Sequence, residues 1–181
     1  ACGKGRHATY FNKKEMNVVG VDLSPNSIAS AKQNENNNLQ FSVHDMREVF
    51  KENHFDIVTN LFTSFGYFEN KDDEQKAINA MAENLKSDGV LIIDFMNIKK
   101  IIANLISSEK KTIDGITFNI KRSVQNNHII KDIEIIDDNE TQHFQEKVKA
   151  ITLADFSAFV SNVGLNIIDI FGNYKLDDFD A

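Results

Sequence analysis

A single cysteine, Cys2, stands among the 181 residues, so no internal disulfide can form and the fold must rest on its core. An unpaired thiol suits a reducing compartment, and a cytoplasmic location is expected. No apolar run approaches the roughly 18 to 20 residues that span a bilayer, so no membrane partner is expected either. Basic side chains are in deficit: 20 Lys and Arg against 27 Asp and Glu leave a formal charge of -7. That balance repels a phosphate backbone unless the cations gather on one face, which argues against nucleic acid as a partner. The five histidines show no H-x-x-x-H spacing, so no metal site is expected, and no Gly-x-Ser-x-Gly elbow marks a serine hydrolase. What is present, 41% hydrophobic and 26% charged residues, suffices for one sizeable core and a single domain.

The only proline, Pro25, follows Ser24 where an apolar run gives way to helical periodicity, a helix start with Ser at N-cap and Pro at the first helical position. Around it short apolar runs alternate with helical stretches. Strands are expected over Asn17 to Val21, Leu39 to Val43, Phe55 to Leu61 and Val90 to Phe95, with helices over Arg6 to Lys14, Ser27 to Gln33 and Asp72 to Lys86. Strict alternation argues for an α/β open sheet of parallel strands with helices on both faces. After Met96 the pattern changes. A helix over Ile98 to Ile106 leads into period-two runs around Ile116, Ile129 and Phe144, an antiparallel insertion of about three strands with turns at 125–127 and 137–140. Thr152-x-x-Asp155 then opens a helix through Val163, Gly164 stops it, and Leu165 to Phe171 reads as a last strand. The expected organisation is a cofactor-binding α/β half over 1–97, a helix and insertion over 98–151 lying on the active site, and a closing helix and strand over 152–181.

Several residues carry chemistry. Gly3-Lys4-Gly5 precedes a helix, where a tight glycine turn lets backbone N–H groups approach a polar ligand; turn glycines without function are equally common. Asp22 follows Gly3 by 19 residues at the carboxyl end of a strand, where it can accept both hydroxyl protons of a ribose or, more plainly, cap the loop. Asp45 ends the next strand and can accept from an exocyclic amine such as that of adenine, while Met46 offers a backbone N–H and an apolar contact. Open α/β sheets bind ligands at this edge, so the pair is more persuasive than either acid alone. The stretch Leu61 to Phe68 holds four aromatics; Phe62 and Tyr67 are substrate-pocket candidates and Phe65 reads as core.

In this order and spacing, Ala1-Cys2-Gly3-Lys4-Gly5-Arg6-His7, Val19-Gly20-Val21-Asp22-Leu23-Ser24, His44-Asp45-Met46-Arg47, Phe55-Asp56-Ile57-Val58 and Asn60 to Phe68 resemble the class I S-adenosylmethionine-dependent methyltransferases. The likeness is to small bacterial members with an antiparallel insertion after the fifth strand. Lys86 to Asp94 resembles the entry to that strand, and Gly164 to Ile168 the sixth strand. The resemblance implies a Rossmann-like three-layer α/β/α fold, S-adenosyl-L-methionine as cofactor and in-line methyl transfer to a small-molecule acceptor. It further implies that Gly3 and Gly5 line the methionine part, Asp22 binds the ribose, Asp45 and Met46 hold the adenine, and Asn60 with Leu61 closes the pocket. Ala1 and Leu23 join the cofactor-binding set. No catalytic base is implied. The rival reading is a nicotinamide-dependent oxidoreductase, because Gly3-x-Gly5-x-x-Ala8 fits G-x-G-x-x-A with Asp22 as the ribose acid. A non-catalytic nucleotide-binding domain is a third.

Set against that pattern the chain departs at both ends. The family's first strand, with its acidic residue, would precede Ala1, and a seventh strand would follow Phe179. The first strand would lie between those ending at Asp22 and Asn60. Its position is expected to be filled by a strand from elsewhere, a second copy in a homodimer being one source, or to leave the sheet distorted around two unpaired edges.

Overall fold

The computed structural model describes residues 1–70, 72–137 and 140–180. They fall into two compact units, Ala1–Ser64 with Asn70–Asp94, and Phe65–Glu69 with Phe95–Ala181.

The first unit holds the alternating half. Parallel strands β1 (Val18–Asp22) and β2 (Leu39–Val43) pair with Val18 opposite Leu39 and Asp22 opposite Val43. Helices α1 (Arg6–Asn12) and α2 (Pro25–Ala31) pack against them. The start of α2 is as read: Ser24 Oγ accepts the Ser27 N–H at 3.2 Å, and Pro25 occupies the first turn, where its missing N–H costs nothing. Leu39 and Phe41 point the same way along β2 and meet Ala8, Ile28 and Ala31 in one buried cluster. Each such large side chain removed from water contributes about 1.5–3 kcal/mol.

A second parallel pair joins β3 (Phe55–Asn60) to β4 (Leu85–Ile93), with α3 (Asp73–Asn84) between them in sequence. The helix ends two residues earlier than its periodicity suggests. Leu85 opposes Phe55 and Val90 opposes Ile57, so Lys86 to Gly89 bulge out of the ladder. At the helix end Asn84 is buried and tied into the loop after β2: its Oδ1 accepts the N–H groups of Phe50 and Lys51 at 2.9 and 2.7 Å, and its Nδ2 donates to Ala80 C=O.

Among the described residues β1 pairs only with β2 and β3 only with β4. Among the described residues the strands ending at Asp22 and Asn60 therefore lie in separate pairs, with no ladder between them. Ile57, Val90 and Ile92, which share a face through the Ile57–Val90 and Thr59–Ile92 pairings, are all exposed.

The second unit differs from expectation in three places. Its antiparallel sheet has four strands, not about three: β5 (Ser108–Ile113), β6 (Ile116–Gln125), β7 (His128–Asp137) and β8 (Glu140–Lys149), in that order. The extra strand is β5, whose Ser-Glu-Lys-Lys-Thr run has no apolar alternation yet pairs along its whole length with β6. Helix α4 (Ile98–Ala103) starts on an Asn97 cap and stops three residues short of Ile106. Among the described residues, 165–171 form no ladder; a strand exists only through a pairing partner, and here Ile167, Ile168 and Ile170 are exposed and Phe171 makes one isolated bridge to Asp178. The hairpin at Asn126-Asn127 is present, both residues having positive φ. Residues 138 and 139 of the turn expected over 137–140 lie outside the described residues; Asp137 and Glu140 are paired. Helix α5 (Leu153–Ser161) opens on a full capping box: Thr152 Oγ1 accepts the Asp155 N–H and Asp155 Oδ2 accepts the Thr152 N–H. Its Phe156 ring lies 5.5 Å from that of Phe65, which is fully buried as its reading as core requires.

Candidate cofactor-binding site

The sequence candidates of the first unit collect at the carboxyl ends of β1, β2 and β3. At the first of these, Cys2 N–H donates to Val21 C=O and Gly5 N–H to Cys2 C=O, which folds residues 2–5 into a turn over the end of β1. Both glycines have positive φ, 55° at Gly3 and 81° at Gly5. They serve different ends. A side chain at Gly5 would strike the Phe41 ring at 2.6 Å, so Gly5 lets the turn close onto the core; beside Gly3 there is open space within 4 Å, so a ligand can reach the backbone.

Asp22 holds this turn. Its Oδ2 accepts the Gly3 N–H at 2.8 Å and its Oδ1 the Ser24 N–H at 2.9 Å. Capping and ligand binding thus meet in one group, since a carboxylate has about four acceptor sites and two are used. Next along the chain, Leu23 is exposed.

Asp45 is partly buried beyond β2, and the Arg47 guanidinium beside it holds its carboxyl below the usual carboxylate range. Met46 follows, and its Sδ receives the Asn60 amide at 3.7 Å, which joins the ends of β2 and β3. Asn60 is 3% exposed, and its Oδ1 is buried without a hydrogen-bond partner. Such an atom costs about 1–3 kcal/mol unless something supplies a donor.

Beyond Asn60 and the half-buried Leu61 the chain enters an unusual turn. Phe62 and Thr63 both lie in the left-handed region, at φ 60° and 52°, a conformation that non-glycine residues take up at a cost and that clusters at functional sites. Asp94, just past β4, stabilises it: its Oδ2 accepts the Phe62 N–H at 2.9 Å and its C=O accepts the Thr63 N–H. The Phe62 ring is 65% exposed, with the Arg6 guanidinium 5.2 Å from its centre and the His7 ring beside it. Tyr67, the other pocket candidate, belongs to the second unit, where it is 52% exposed; partial burial pushes its phenol pKa up, and Glu146 adds to the shift.

Residues 1–89 match the methyltransferase domain family. Over these residues, 89 of 181, the chain is similar to that family. The chain is 33% identical over 107 residues to a glycine/sarcosine N-methyltransferase of Parasynechococcus marenigrum, a match covering 56% of this chain and 38% of that protein. It is 28% identical over 94 residues to a dTDP-3-amino-3,6-dideoxy-alpha-D-glucopyranose N,N-dimethyltransferase of Streptomyces fradiae, covering 52% and 36%. The chain therefore spans about two-fifths of the length of the curated relatives it matches. Among solved structures, an S-adenosylmethionine-dependent methyltransferase from Clostridium acetobutylicum superposes with a TM-score of 0.85 at 22% identity, over 99% of this chain and 76% of that one. The fold is the Rossmann-like methyltransferase fold, as the motif order implied.

Three residues the sequence reading left outside the site belong to its framework. Arg6 lies against Phe62, Arg47 grips Asp45, and Asp94 fixes the turn after β3. Asp94 could have been found, because it too is an acid at the carboxyl end of a parallel strand.

The residues present suit an adenosyl cofactor. Asp22 retains acceptor capacity for ribose hydroxyls, Asp45 is an ionised acceptor suited to an amine, Gly3 leaves room at the backbone, and the buried Asn60 Oδ1 calls for a donor.

Proposed function

We propose that this chain is the S-adenosyl-L-methionine-binding portion of a methyltransferase that acts on a small-molecule acceptor. The observation that carries the reading is the set of acceptors at the carboxyl ends of three strands, Asp22, Asp45 and the unsatisfied Asn60 Oδ1. A nicotinamide enzyme needs the ribose acid but gives no reason for the other two, and the methyltransferase family match favours methyl transfer. Small amines and amino sugars are the acceptors named for the relatives above, so an amine of this size is the first acceptor class to test.

The cofactor, when bound, supplies an electrophilic methyl group. The chain's own residues bind and orient. Asp22 takes the ribose hydroxyls with Leu23 beside it, Asp45 and Met46 the adenine, Ala1, Gly3 and Gly5 the methionine part, and Asn60 with Leu61 closes the pocket. Phe62 is proposed for the acceptor. Methyl transfer to an amine needs alignment and exclusion of water more than a dedicated base, and the site offers no evident base. The single cysteine supports a cytoplasmic location, and the edges of β1 and β3 that have no partner among the described residues support a homodimer.

Calorimetric titration of the chain with S-adenosylhomocysteine and separately with NAD tests the assignment. Saturable binding of the first and none of the second is expected; the reverse pattern refutes it.

A further inference from the structure

Asp45 is held by one side chain. Arg47 Nε lies 3.1 Å from both of its carboxylate oxygens, Arg47 Nη2 lies 2.6 Å from Oδ2, and the Arg47 backbone N–H donates to Oδ1 at 3.0 Å. The other arm of the guanidinium, Nη1, donates to Asp73 Oδ2 at 2.7 Å. Asp73 begins α3, is 2% exposed, and is itself fixed by Lys76 Nζ on Oδ1 and Asn70 Nδ2 on Oδ2. A chain of charge-assisted bonds therefore runs from the end of β2 through Arg47 to the first turn of α3.

The geometry limits what Asp45 can still do. Of about four acceptor sites on a carboxylate, the three Arg47 N–H groups occupy three, which leaves room for about one further donor. Nothing remains for Asp45 to donate, because a carboxylate beside a bound guanidinium stays ionised; Arg47 is the first cause of the lowered Asp45 pKa. A group with one free acceptor site and no proton accepts from an exocyclic amine and repels a carbonyl oxygen in the same place.

We infer that Arg47 is the positioning residue for base selection: anchored on Asp73, it fixes Asp45 as a single-site acceptor, so that the site takes a 6-aminopurine and rejects a 6-oxopurine. This rests on the assignment of Asp45 to the adenine. An Arg whose role is only structural would, when replaced, weaken both purines alike. An Arg that sets selection changes their ratio.

The test is the ratio of affinities for S-adenosylhomocysteine and its inosyl analogue, which carries a carbonyl in place of the amine, measured by calorimetry on the full chain. The wild-type chain is expected to favour the adenosyl compound by at least about tenfold, the effect of one charge-assisted hydrogen bond. Arg47→Met is expected to bring that ratio to within about threefold of unity, mostly by weakening the adenosyl compound, and Arg47→Lys, which keeps the charge without the fork, to give an intermediate ratio. Asp73→Asn, which loosens the anchor, should lower the ratio less than Arg47→Met. Only folded protein binds, so the ratio is read from whichever variants fold, and Arg47→Lys disturbs the fold least. Asp45→Asn separates the two levels of the reading. If it leaves the ratio unchanged, Asp45 does not hold the base and both fall. If Asp45→Asn collapses the ratio while both Arg47 variants keep the wild-type value, the role of Arg47 alone is overturned. A wild-type chain that binds neither compound, or both equally, overturns the inference as well.

Discussion

Replacing Gly5 by alanine puts two separable costs on one position. The first is conformational: φ is 81°, and an L-residue with a side chain pays about 1–2 kcal/mol there. The second is steric. The new Cβ would stand 2.6 and 2.7 Å from two carbons of the Phe41 ring and 3.3 Å from Ala31 Cβ. Phe41 and Ala31 are buried in the cluster that joins α1, α2 and β2, so the ring has no solvent to swing into. Overpacking of this kind costs about 1–3 kcal/mol, for a total of about 2–5 kcal/mol, a large share of the roughly 5–15 kcal/mol that stabilises a domain. In urea, with a slope near 2 kcal/mol/M, the midpoint should fall by about 1–2.5 M without a change in slope. Gly3→Ala is the matched control, since φ is also positive but nothing lies within 4 Å of the added carbon; only the conformational cost of about 1–2 kcal/mol should appear. Binding should reverse the order, Gly3→Ala losing more affinity for S-adenosylhomocysteine than stability. Trimming the ring in Gly5→Ala/Phe41→Leu should recover part of the steric cost, seen as a favourable coupling in the double-mutant cycle. Equal midpoints for the two single glycine variants, or no coupling in the double, would show that the Phe41 contact does not decide the matter.

Three further outcomes are expected. Asp22→Ala removes the acceptor for the Gly3 and Ser24 N–H groups together with the ribose acceptor, and should weaken S-adenosylhomocysteine binding by about 1.5–3 kcal/mol, roughly 10- to 150-fold; unchanged affinity by calorimetry removes the assignment. Asp73 titrates at about 2 in the folded chain, pulled down from its ordinary 3.8 by Lys76, Arg47 and Asn70 in that order. A depressed carboxylate stabilises the fold fully above its unfolded pKa and loses that contribution as pH falls from about 4 towards 2, so melting curves of wild type and Asp73→Asn should converge over this window and not above it. Thr152→Ala, which breaks the capping box of α5, should cost about 0.5–2 kcal/mol by thermal or urea unfolding, and Thr152→Ser much less.

The parts of the fold that were legible share a cause. β2 was read to the residue and α2 from its cap, because buried parallel strands and capped helices write their periods and boundaries into local residue types. The errors fall where backbone pairing rather than side-chain burial decides. β5 carries Glu109, Lys110 and Lys111 in succession and shows no period, yet Asp114-Gly115, with φ of 50° and 86°, is a two-residue hairpin turn that announces a partner for β6. Residues 165–171 present the opposite error, an apolar run with strand character and no ladder. The placement of Asp22 and Asp45 at strand ends was legible because a strand end is a local feature; the hold of Arg47 on Asp73 was not, because the two lie 26 residues apart and nothing in the Arg47 neighbourhood names its distant partner.

Structural and functional readings of the strand-end acids entered as rivals, a capping carboxylate against a ligand-binding one, and the geometry removes the opposition. Where a parallel strand ends and the chain turns back, backbone N–H groups leave the ladder and need acceptors. Asp22 accepts from Gly3 and Ser24, Asp45 from Arg47, and Asp94 from Phe62, so each acid first organises its own turn. Each does so with part of its acceptor capacity, and the remainder is left for another donor. An acid fixed in this way loses little entropy when it binds a ligand, because its orientation was set in folding. The local bonds that make Asp22 and Asp45 good caps therefore also suit them to the ligand-binding role proposed for them. Asn60, whose Oδ1 is buried without any such local partner, is the one acceptor of the group whose need the fold alone does not meet.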